Sequence, residues 1–243
     1  MISKKYTLVS LLFETTTDYQ KNLDTLISLI KEAPKNSLIV APEVCLTGYD
    51  YDNFDKVVEF ASFAIKEIKK ISQDKIIILT IIEKKDSKIY NFAKIFYNGA
   101  VVFERSKAKL FRFGDEHKYL LEGDDNNFEI VEVDGIKISV FICFELRFKE
   151  FWQKSEGSDV IAIPAWWGAI RSENFKALTR AIAIINQCYV VASDSKNDEC
   201  TKMSGIITPQ GEVRRNENIS CLIQDYDKKE ISLMRRYMDV GIG

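Results

Sequence analysis

The chain has 243 residues, of which 46% are hydrophobic and 29% are charged, and its formal net charge at pH 7 is −2. That balance is typical of a globular protein, and the near-neutral charge gives no reason to expect nucleic acid or an anionic membrane as a partner. No apolar run in the sequence approaches the roughly 20 residues of a membrane-spanning helix, so we expect a cytoplasmic protein with one domain over residues 1–243.

Cysteine and histidine content narrows the possible chemistry. The five cysteines are odd in number, are widely spaced and form no C-x-x-C pair, which argues against a disulfide framework and against a zinc site. His117 is the only histidine, so a histidine-based metal centre is not expected. No glycine-rich phosphate loop follows a predicted strand. We therefore expect neither a metal nor an organic cofactor.

The first third of the chain alternates between strand and helix patterns. A β-rich segment at 6–13 precedes apolar residues at helical spacing over 18–32. A short buried strand is predicted at 37–41 and a second helix at 55–72. The run KIIILTII at 75–82 is almost continuously apolar, as expected of a strand that is covered on both faces.

The middle of the chain has an antiparallel pattern. Asn98-Gly99 and Asp134-Gly135 each separate two strand-like runs, and these dipeptides favour a two-residue hairpin turn. The whole pattern predicts an α/β fold with mixed sheets and helices outside them. The later predicted elements are a helix from about residue 148, a strand at 159–165, a helix at 174–187, a strand at 188–193 and a turn at 209–211.

Reactive side chains follow several of the predicted strands. Glu43 comes after SLIVAP, Lys107 and Lys109 come after AVVFERS, and Cys143 ends IKISVFI. In open α/β sheets the loops beyond the strand ends converge on one site. A carboxylate, an amine and a thiol brought together there supply a base, a cation and a nucleophile without a histidine.

Each of these residues also has an ordinary structural interpretation. Free cysteine is among the most buried residue types, so Cys143 alone fits a core thiol. Glu43 after Pro42 fits a turn cap, and lysines are common on exposed strand edges. The combination of the residues, rather than any one of them, is what favours a catalytic site.

Five sequence blocks, in order along the chain, resemble those of the nitrilase superfamily of carbon–nitrogen hydrolases. Any one block is weak, but together they span nearly the whole chain. The resemblance implies an α-β-β-α sandwich and a cysteine-dependent amidase that forms a thioester. The blocks are LIVAPEVCLTGY (38–49), SKAKLFRFGDEHKYLLEGD (106–124), FICFELRF (141–148), IPAWWGAIR (163–171) and MSGIITPQGEV (203–213).

The resemblance assigns roles to individual residues. It implies Glu43 as general base and Cys143 as nucleophile. The family pattern K-x-H-L-F reads KAKLF here, which places Lys107 at the catalytic position and Lys109 at the histidine position. Because residues two apart on a strand share a face, both amines are expected to reach the site. Two further supporting groups are expected, the side chain of Glu116 and the backbone N–H of Phe144, which is aimed at the oxyanion.

The block LFRFGDEHKYLLEGD is similar to the short branch that includes bacterial omega-amidases, which implies an omega-amide of a 2-oxo acid as substrate. An N-carbamoyl amine or amino-acid hydrolase and a divergent, non-catalytic binding or scaffold member remain alternatives. Each pocket candidate could instead be structural: a surface histidine, an arginine paired with a buried carboxylate, or a core or interface aromatic. The substrate-binding candidates are Phe111, His117, Arg147, Trp166, Trp167 and Arg171, with Arg112 as a further cation.

The sequence departs from the family pattern near the expected pocket. Trp166 stands where an asparagine is usual, and Phe144-Glu145 replaces Tyr-Asp after the cysteine. Ile182 and Ile185 replace a charged pair in the helix at 174–187. These changes leave the three catalytic candidates in place, but they put the pocket and the packing of that helix in doubt. Family members commonly form homodimers, and the apolar segment 181–191 fits either such an interface or a buried helix.

Overall fold

The computed structural model describes residues 5–242. The first half forms β1 Tyr6–Leu11, α1 Tyr19–Glu32, β2 Ser37–Val40, α2 Phe54–Ile71, β3 Lys75–Lys85, β4 Lys88–Tyr97 and β5 Ala100–Ser106. The second half forms α3 Glu116–Tyr119, β6 Val131–Val133, β7 Ile136–Val140, α4 Lys149–Lys154, β8 Val160–Pro164, α5 Ser172–Ile185, β9 Tyr189–Ser193, β10 Gly205–Ile207, β11 Val213–Arg215, β12 Cys221–Tyr226 and α6 Lys228–Tyr237. No helix in this described part is long and apolar enough to cross a bilayer.

The strands form two six-stranded mixed sheets, in the orders β12-β1-β2-β3-β4-β5 and β11-β10-β9-β8-β7-β6. Strands β1, β2 and β3 are parallel, and so are β7, β8 and β9. The helices that connect these parallel strands cover the outer faces of the two sheets. This arrangement confirms the predicted α-β-β-α sandwich.

Side-chain alternation explains the apolar run of β3. Ile76 and Ile78 point into the layer between the two sheets, where they join residues of β7 and β8. Ile77 and Leu79 point the other way and pack with residues of α1 and α2. Burial on both faces explains why the central residues of β3 are mostly apolar. The polar exception is the buried Thr80, whose hydroxyl accepts a hydrogen bond from the Val44 N–H.

Both predicted hairpins are confirmed. The turn between β4 and β5 places Asn98 at φ 47° and Gly99 at φ 80°, and the turn between β6 and β7 places Asp134 at φ 50° and Gly135 at φ 79°. Two consecutive residues with positive φ are the geometry of the primed turn that matches strand twist.

Two elements near the C-terminus lie outside the sequence-based expectations. Strand β12 pairs antiparallel with β1 and forms the edge of the first sheet, and α6 follows it. The two sheets also contact each other through hydroxyl groups, because Ser10 Oγ donates to Ala192 O at 2.6 Å and Ser193 Oγ donates to Leu11 O at 2.5 Å. These bonds fix one sheet relative to the other close to the strand ends.

Candidate active site

The ends of four elements bring the reactive side chains together. Glu43 follows β2, Lys107 follows β5, Cys143 follows β7, and Glu116 begins α3. The Glu43 N–H donates to Ala165 O at 3.1 Å, a bond that joins the carboxyl end of a strand in one sheet to that of a strand in the other. The site therefore lies between the two sheets, where neither sheet alone could form it.

Lys107 is the centre of a buried charge cluster. Its Nζ donates to Glu43 Oε1 and to Glu116 Oε1, both at 2.8 Å, and its side chain has no exposed surface. Burial alone would lower the pKa of Lys107, but the carboxylates of Glu116 and Glu43 outweigh it and raise that pKa. The amine is therefore a fixed cation.

The two carboxylate oxygens of Glu43 have different surroundings. Oε1 accepts from Lys107 Nζ, from the Tyr49 hydroxyl at 2.7 Å and from Asn91 Nδ2 at 2.9 Å. Oε2 is buried and has no hydrogen-bond partner among the residues described. Three donors hold one oxygen in place and leave the other free to accept a proton. Tyr49 ends the first quoted sequence block, whereas nothing in the sequence pattern had singled out Asn91.

Burial governs the ionisation of the base. Removal from water raises the pKa of Glu43. The positive charge of Lys107 lowers this pKa and the negative charge of Glu116 raises it, and the net result is a raised pKa. A carboxylate with a raised pKa is a stronger base than one in water, which suits it to take a proton from a thiol.

Cys143 occupies a strained turn at the end of its strand. Its φ is +45°, a conformation that few residues other than glycine adopt, and its side chain is 7% exposed. Strained backbone of this kind clusters at functional sites. Burial and the negative charge of Glu43 raise the pKa of the thiol well above its ordinary value, so the resting group is a neutral thiol that needs a base.

The turn that follows Cys143 differs from the sequence-based expectation. The polar segment FELRFKE after Cys143 fits a helix that starts there and whose N-terminal dipole favours thiolate. The structure instead has a 3₁₀ turn over Cys143–Arg147, and the short α4 starts only at Lys149. One turn aligns few peptide dipoles, so it favours thiolate little. Lys107 is the group whose positive charge lowers the pKa of the Cys143 thiol.

Glu145 is a structural residue that the motif comparison had treated only as a departure. It forms a buried ion pair with Arg105, whose NH1 lies 2.9 Å from Glu145 Oε1. It also accepts from the N–H of Ala108 and from that of Ile142, each at 2.7 Å. One carboxylate thus ties the turn before Cys143 to the segment that carries Lys107.

Replacing Glu145 by glutamine is expected to lower the free energy of unfolding by about 3–5 kcal/mol, because Arg105 would remain buried without a counter-charge. Urea denaturation of the variant and of the unmodified chain measures this change. Glu173→Gln, which breaks an exposed ion pair with Lys176, is the matched control and should change stability by about 1 kcal/mol or less. Equal effects of the two substitutions would contradict the role given to Glu145.

A narrow cleft leads to the sulfur of Cys143. In the free chain its volume is only about 20 Å³. The Arg147 guanidinium lies over the Trp167 ring at 4.9 Å, and that of Arg171 lies over the Phe111 ring at 5.1 Å. Most of the expected pocket residues are therefore placed here. The cleft is lined by Phe111, Cys143, Phe144, Arg147, Trp166, Trp167, Gly168 and Arg171.

Three of the candidate residues lie outside the cleft. Lys109 pairs with Asp125 and stacks over Phe148, so the expectation that both lysines reach the site is wrong. The physical reason is that β5 ends at Ser106, and the rule that alternate residues share a face no longer applies beyond it. His117 and Arg112 are exposed and do not line the cleft. His117 follows the inward-facing Glu116 on a helical turn, which rotates it away from the site.

No group of three or more His, Cys, Asp or Glu side chains within residues 5–242 is placed to hold a metal ion. What the site does contain is a free carboxylate oxygen, a fixed ammonium and a thiol. Such a set can perform acyl transfer, in which the base activates the thiol and the cation stabilises the oxyanion that forms.

Comparison with known proteins gives consistent matches. The family model for carbon–nitrogen hydrolases matches residues 8–227. A 2-oxoglutaramate amidase from Bacillus subtilis (strain 168) is 34% identical over 194 residues, which cover 75% of this chain and 74% of that protein. Omega-amidase YafV from Escherichia coli (strain K12) is 29% identical over 187 residues, which cover 72% and 70%. The crystal structure of Saccharomyces cerevisiae Nit3, a member of branch 10 of the nitrilase superfamily, superposes with a TM-score of 0.86 at 24% identity and covers 98% of this chain and 96% of that one.

Proposed function

This chain belongs to the carbon–nitrogen hydrolase family, enzymes that hydrolyse non-peptide carbon–nitrogen bonds, and from that premise we propose that it is an omega-amidase. Its substrate in this proposal is a small primary amide with a carboxylate at the other end, an omega-amide of a 2-oxo acid. One observation carries the substrate class: the cleft that reaches Cys143 is bounded by two guanidinium groups.

In the proposed first step, Cys143 Sγ attacks the amide carbon while Glu43 Oε2 takes the thiol proton. The unpartnered Oε2 supports this assignment, since the other oxygen is held by three donors. The negative charge that develops on the amide oxygen is stabilised by Lys107 and by the backbone N–H of Phe144, which lies in the first turn after the nucleophile, where amides have no intrahelical partner.

Collapse of the tetrahedral intermediate breaks the carbon–nitrogen bond. Glu43 returns its proton to the departing nitrogen, and ammonia leaves behind a thioester on Cys143. Glu43 then takes a proton from water, the resulting hydroxide attacks the thioester, and the proton passes to the sulfur as the acid departs. Lys107 keeps its charge throughout, because its ion pairs with Glu43 and Glu116 hold it as a cation.

The two arginines supply the recognition of the substrate carboxylate. The pKa of Arg147 is lowered, first by burial and second by the positive charge of Arg171. The two guanidinium groups therefore lie close enough to repel each other. The Arg147 guanidinium donates to the neutral side chain of Asn174 at 3.2 Å. An anionic substrate between the two arginines would relieve that repulsion and gain charge-assisted hydrogen bonds.

The experiment that tests this function measures ammonia release from 2-oxoglutaramate, from a neutral aliphatic amide of similar size and from N-carbamoylputrescine. We expect the first to be the best substrate, and we expect Arg171→Gln to raise its KM by about 10- to 100-fold while changing the KM of the neutral amide little. Preference for N-carbamoylputrescine would favour the N-carbamoyl alternative. Absence of ammonia from all three would contradict the omega-amidase proposal and favour a non-catalytic member.

The acid limb of the pH profile is a separate expectation. Glu43 must be ionised to accept a proton, and burial raises its pKa, so kcat/KM should fall as pH drops through a value above the ordinary 4.5 of a glutamate. Asn91→Leu removes one donor to the ionised form and should move this limb up by about 0.5–1 pH unit. Profiles of kcat/KM between pH 4 and pH 9 measure both shifts, and a limb at or below pH 4.5 would contradict the assignment of the base.

We also propose that the protein is a cytoplasmic, single-domain homodimer. One apolar core shared by both sheets supports the single domain, and five free cysteines fit a reducing compartment. In the segment at 181–191, Ile184 and Ile185 are 41% and 54% exposed, whereas Ile182 is buried. Two neighbouring exposed isoleucines on α5 support an interface there, and sedimentation velocity of the purified chain tests it.

A further inference from the structure

Trp166 lies between two separate cavities. It lies two residues after the end of β8, beside the Cys143 end of the catalytic cleft. Trp166 lines both the catalytic cleft and a much larger surface groove. Tyr49, which donates to the catalytic carboxylate, meets the indole edge to face with ring centroids 6.2 Å apart. Trp166 is therefore the residue that the linings of the two cavities share.

The second cavity, called the α2 groove here, has a volume of about 1130 Å³ and lies beside α2 and the segments at 14–20 and 47–53. Three aromatic rings form its apolar wall: Tyr19 and Phe60 are 5.6 Å apart, and Phe60 and Phe63 are 5.8 Å apart. Its charged lining is mainly acidic, with Glu14, Asp18, Asp50 and Glu59 against Lys56 alone. Aromatic rings beside carboxylates suit an aromatic group that carries a positive charge.

The backbone at Gly48 lies close to the Trp166 indole. Gly48 has φ +62°, and a Cβ placed on it would lie 3.8 Å from the far edge of the indole, at ordinary contact distance. The cleft has about 20 Å³ free on the Cys143 side. An aromatic side chain of this size buries roughly 150–250 Å² of surface, so truncating it would connect the cleft to the α2 groove.

We propose that Trp166 is a specificity-determining residue whose indole closes the wall between the catalytic cleft and the α2 groove. The intact wall restricts turnover to small amides. Without it, the groove accepts the extended part of an amide that carries a cationic arylalkyl group. This inference rests on the proposed amidase function, and it concerns which substrates reach Cys143 rather than the chemistry that follows.

The test compares kcat/KM for a small amide with that for the same amide carrying an arylalkylammonium extension, placed on the acyl chain in one series and on the amide nitrogen in another. In Trp166→Ala the ratio of extended to small substrate should rise by about 10- to 200-fold in at least one series, which is the range that pocket size controls. Trp166→Phe should give a smaller rise. An extension that ends in a carboxylate should gain less than the cationic one.

Phe113→Ala is the matched control, since it removes an aromatic ring that is 85% exposed and lies outside the wall. Its ratio should stay at that of the unmodified chain.

A second measurement does not need turnover. Mass spectrometry follows the alkylation of Cys143 by an N-(ammonioarylalkyl) iodoacetamide, and the rate is compared with that of iodoacetamide. The sulfur–carbon bond forms as iodide leaves, and the relative rate should rise in Trp166→Ala.

Different failures remain distinguishable in this design. An unmodified chain that releases ammonia from no amide contradicts the proposed function. A second outcome overturns only the role given to Trp166. In that outcome the unmodified chain hydrolyses the small amide, but a folded Trp166→Ala variant shows no rise in the kcat/KM ratio or in the relative alkylation rate. A rise of equal size in Phe113→Ala, or a larger gain for the anionic extension, also overturns it.

Discussion

Replacing Cys143 by alanine is expected to lower kcat/KM for the small amide by at least about 10⁴-fold, because the residual rate would come from binding and oxyanion stabilisation without a nucleophile. The thiol follows β7, where the charges of Glu43 and Lys107 act on it, and no thioester can form without it. Ammonia release from the variant measures the loss.

Cys221→Ala is the control for this prediction. Cys221 is a free, partly exposed cysteine on β12, at the sheet edge away from the catalytic cleft. Its replacement should leave kcat/KM within about threefold of the unmodified chain, because a surface change away from buried features has small effects. Thermal unfolding of both variants checks that each is folded. Turnover that survives in a folded Cys143→Ala variant would remove the thioester mechanism altogether.

The second large effect on kcat/KM is expected from substitution of Lys107, the first of the two lysines in KAKLF. Lys107→Met should lower kcat/KM by about 10³-fold or more, since it removes the cation that stabilises the oxyanion in a buried site. Lys109→Met should keep activity within about threefold, because its amine pairs with Asp125 outside the cleft. The two substitutions are chemically identical and two residues apart, so each is the control for the other.

Stability must be measured alongside activity for Lys107. Its removal leaves Glu43 and Glu116 buried without their counter-charge, and the free energy of unfolding should fall by about 3–5 kcal/mol. The double change Lys107→Met with Glu116→Gln restores part of that stability by removing one carboxylate, but it should not restore turnover. A stable Lys107→Met variant that is fully active, or an inactive Lys109→Met variant, would contradict the assignment of the catalytic lysine.

Local patterns predicted much of the fold correctly. The hairpins at Asn98-Gly99 and Asp134-Gly135 follow from turn chemistry that acts over a few residues, and the run at 75–82 follows from burial on both faces of β3. Strand β12 was not predicted because its pattern is weak, and it gains its hydrogen bonds from β1, which lies more than 200 residues earlier in the chain. Pairing over that distance leaves no signal in the local sequence.

The candidate site shows the same division between local and long-range information. The order of motifs identified Glu43, Lys107, Glu116 and Cys143, which the structure brings into one charge cluster and its adjoining cleft. It also suggested Lys109 and His117, which lie outside the cleft. Lys109 lies beyond the end of β5, and the helical turn of α3 rotates His117 away from the site. A motif records which residue types are present, but the direction of each side chain depends on where a strand or helix ends.

The sequence by itself determined the alternation of strands and helices, the resemblance to carbon–nitrogen hydrolases and the identity of the catalytic candidates, because these depend on residue type and on spacing along the chain. Only the tertiary structure decided which oxygen of Glu43 is free, that Glu145 anchors the turn at Cys143, and that Trp166 lines both the cleft and the α2 groove. Those properties depend on atoms from both sheets meeting at one point, and that meeting is fixed by packing between elements distant in the chain.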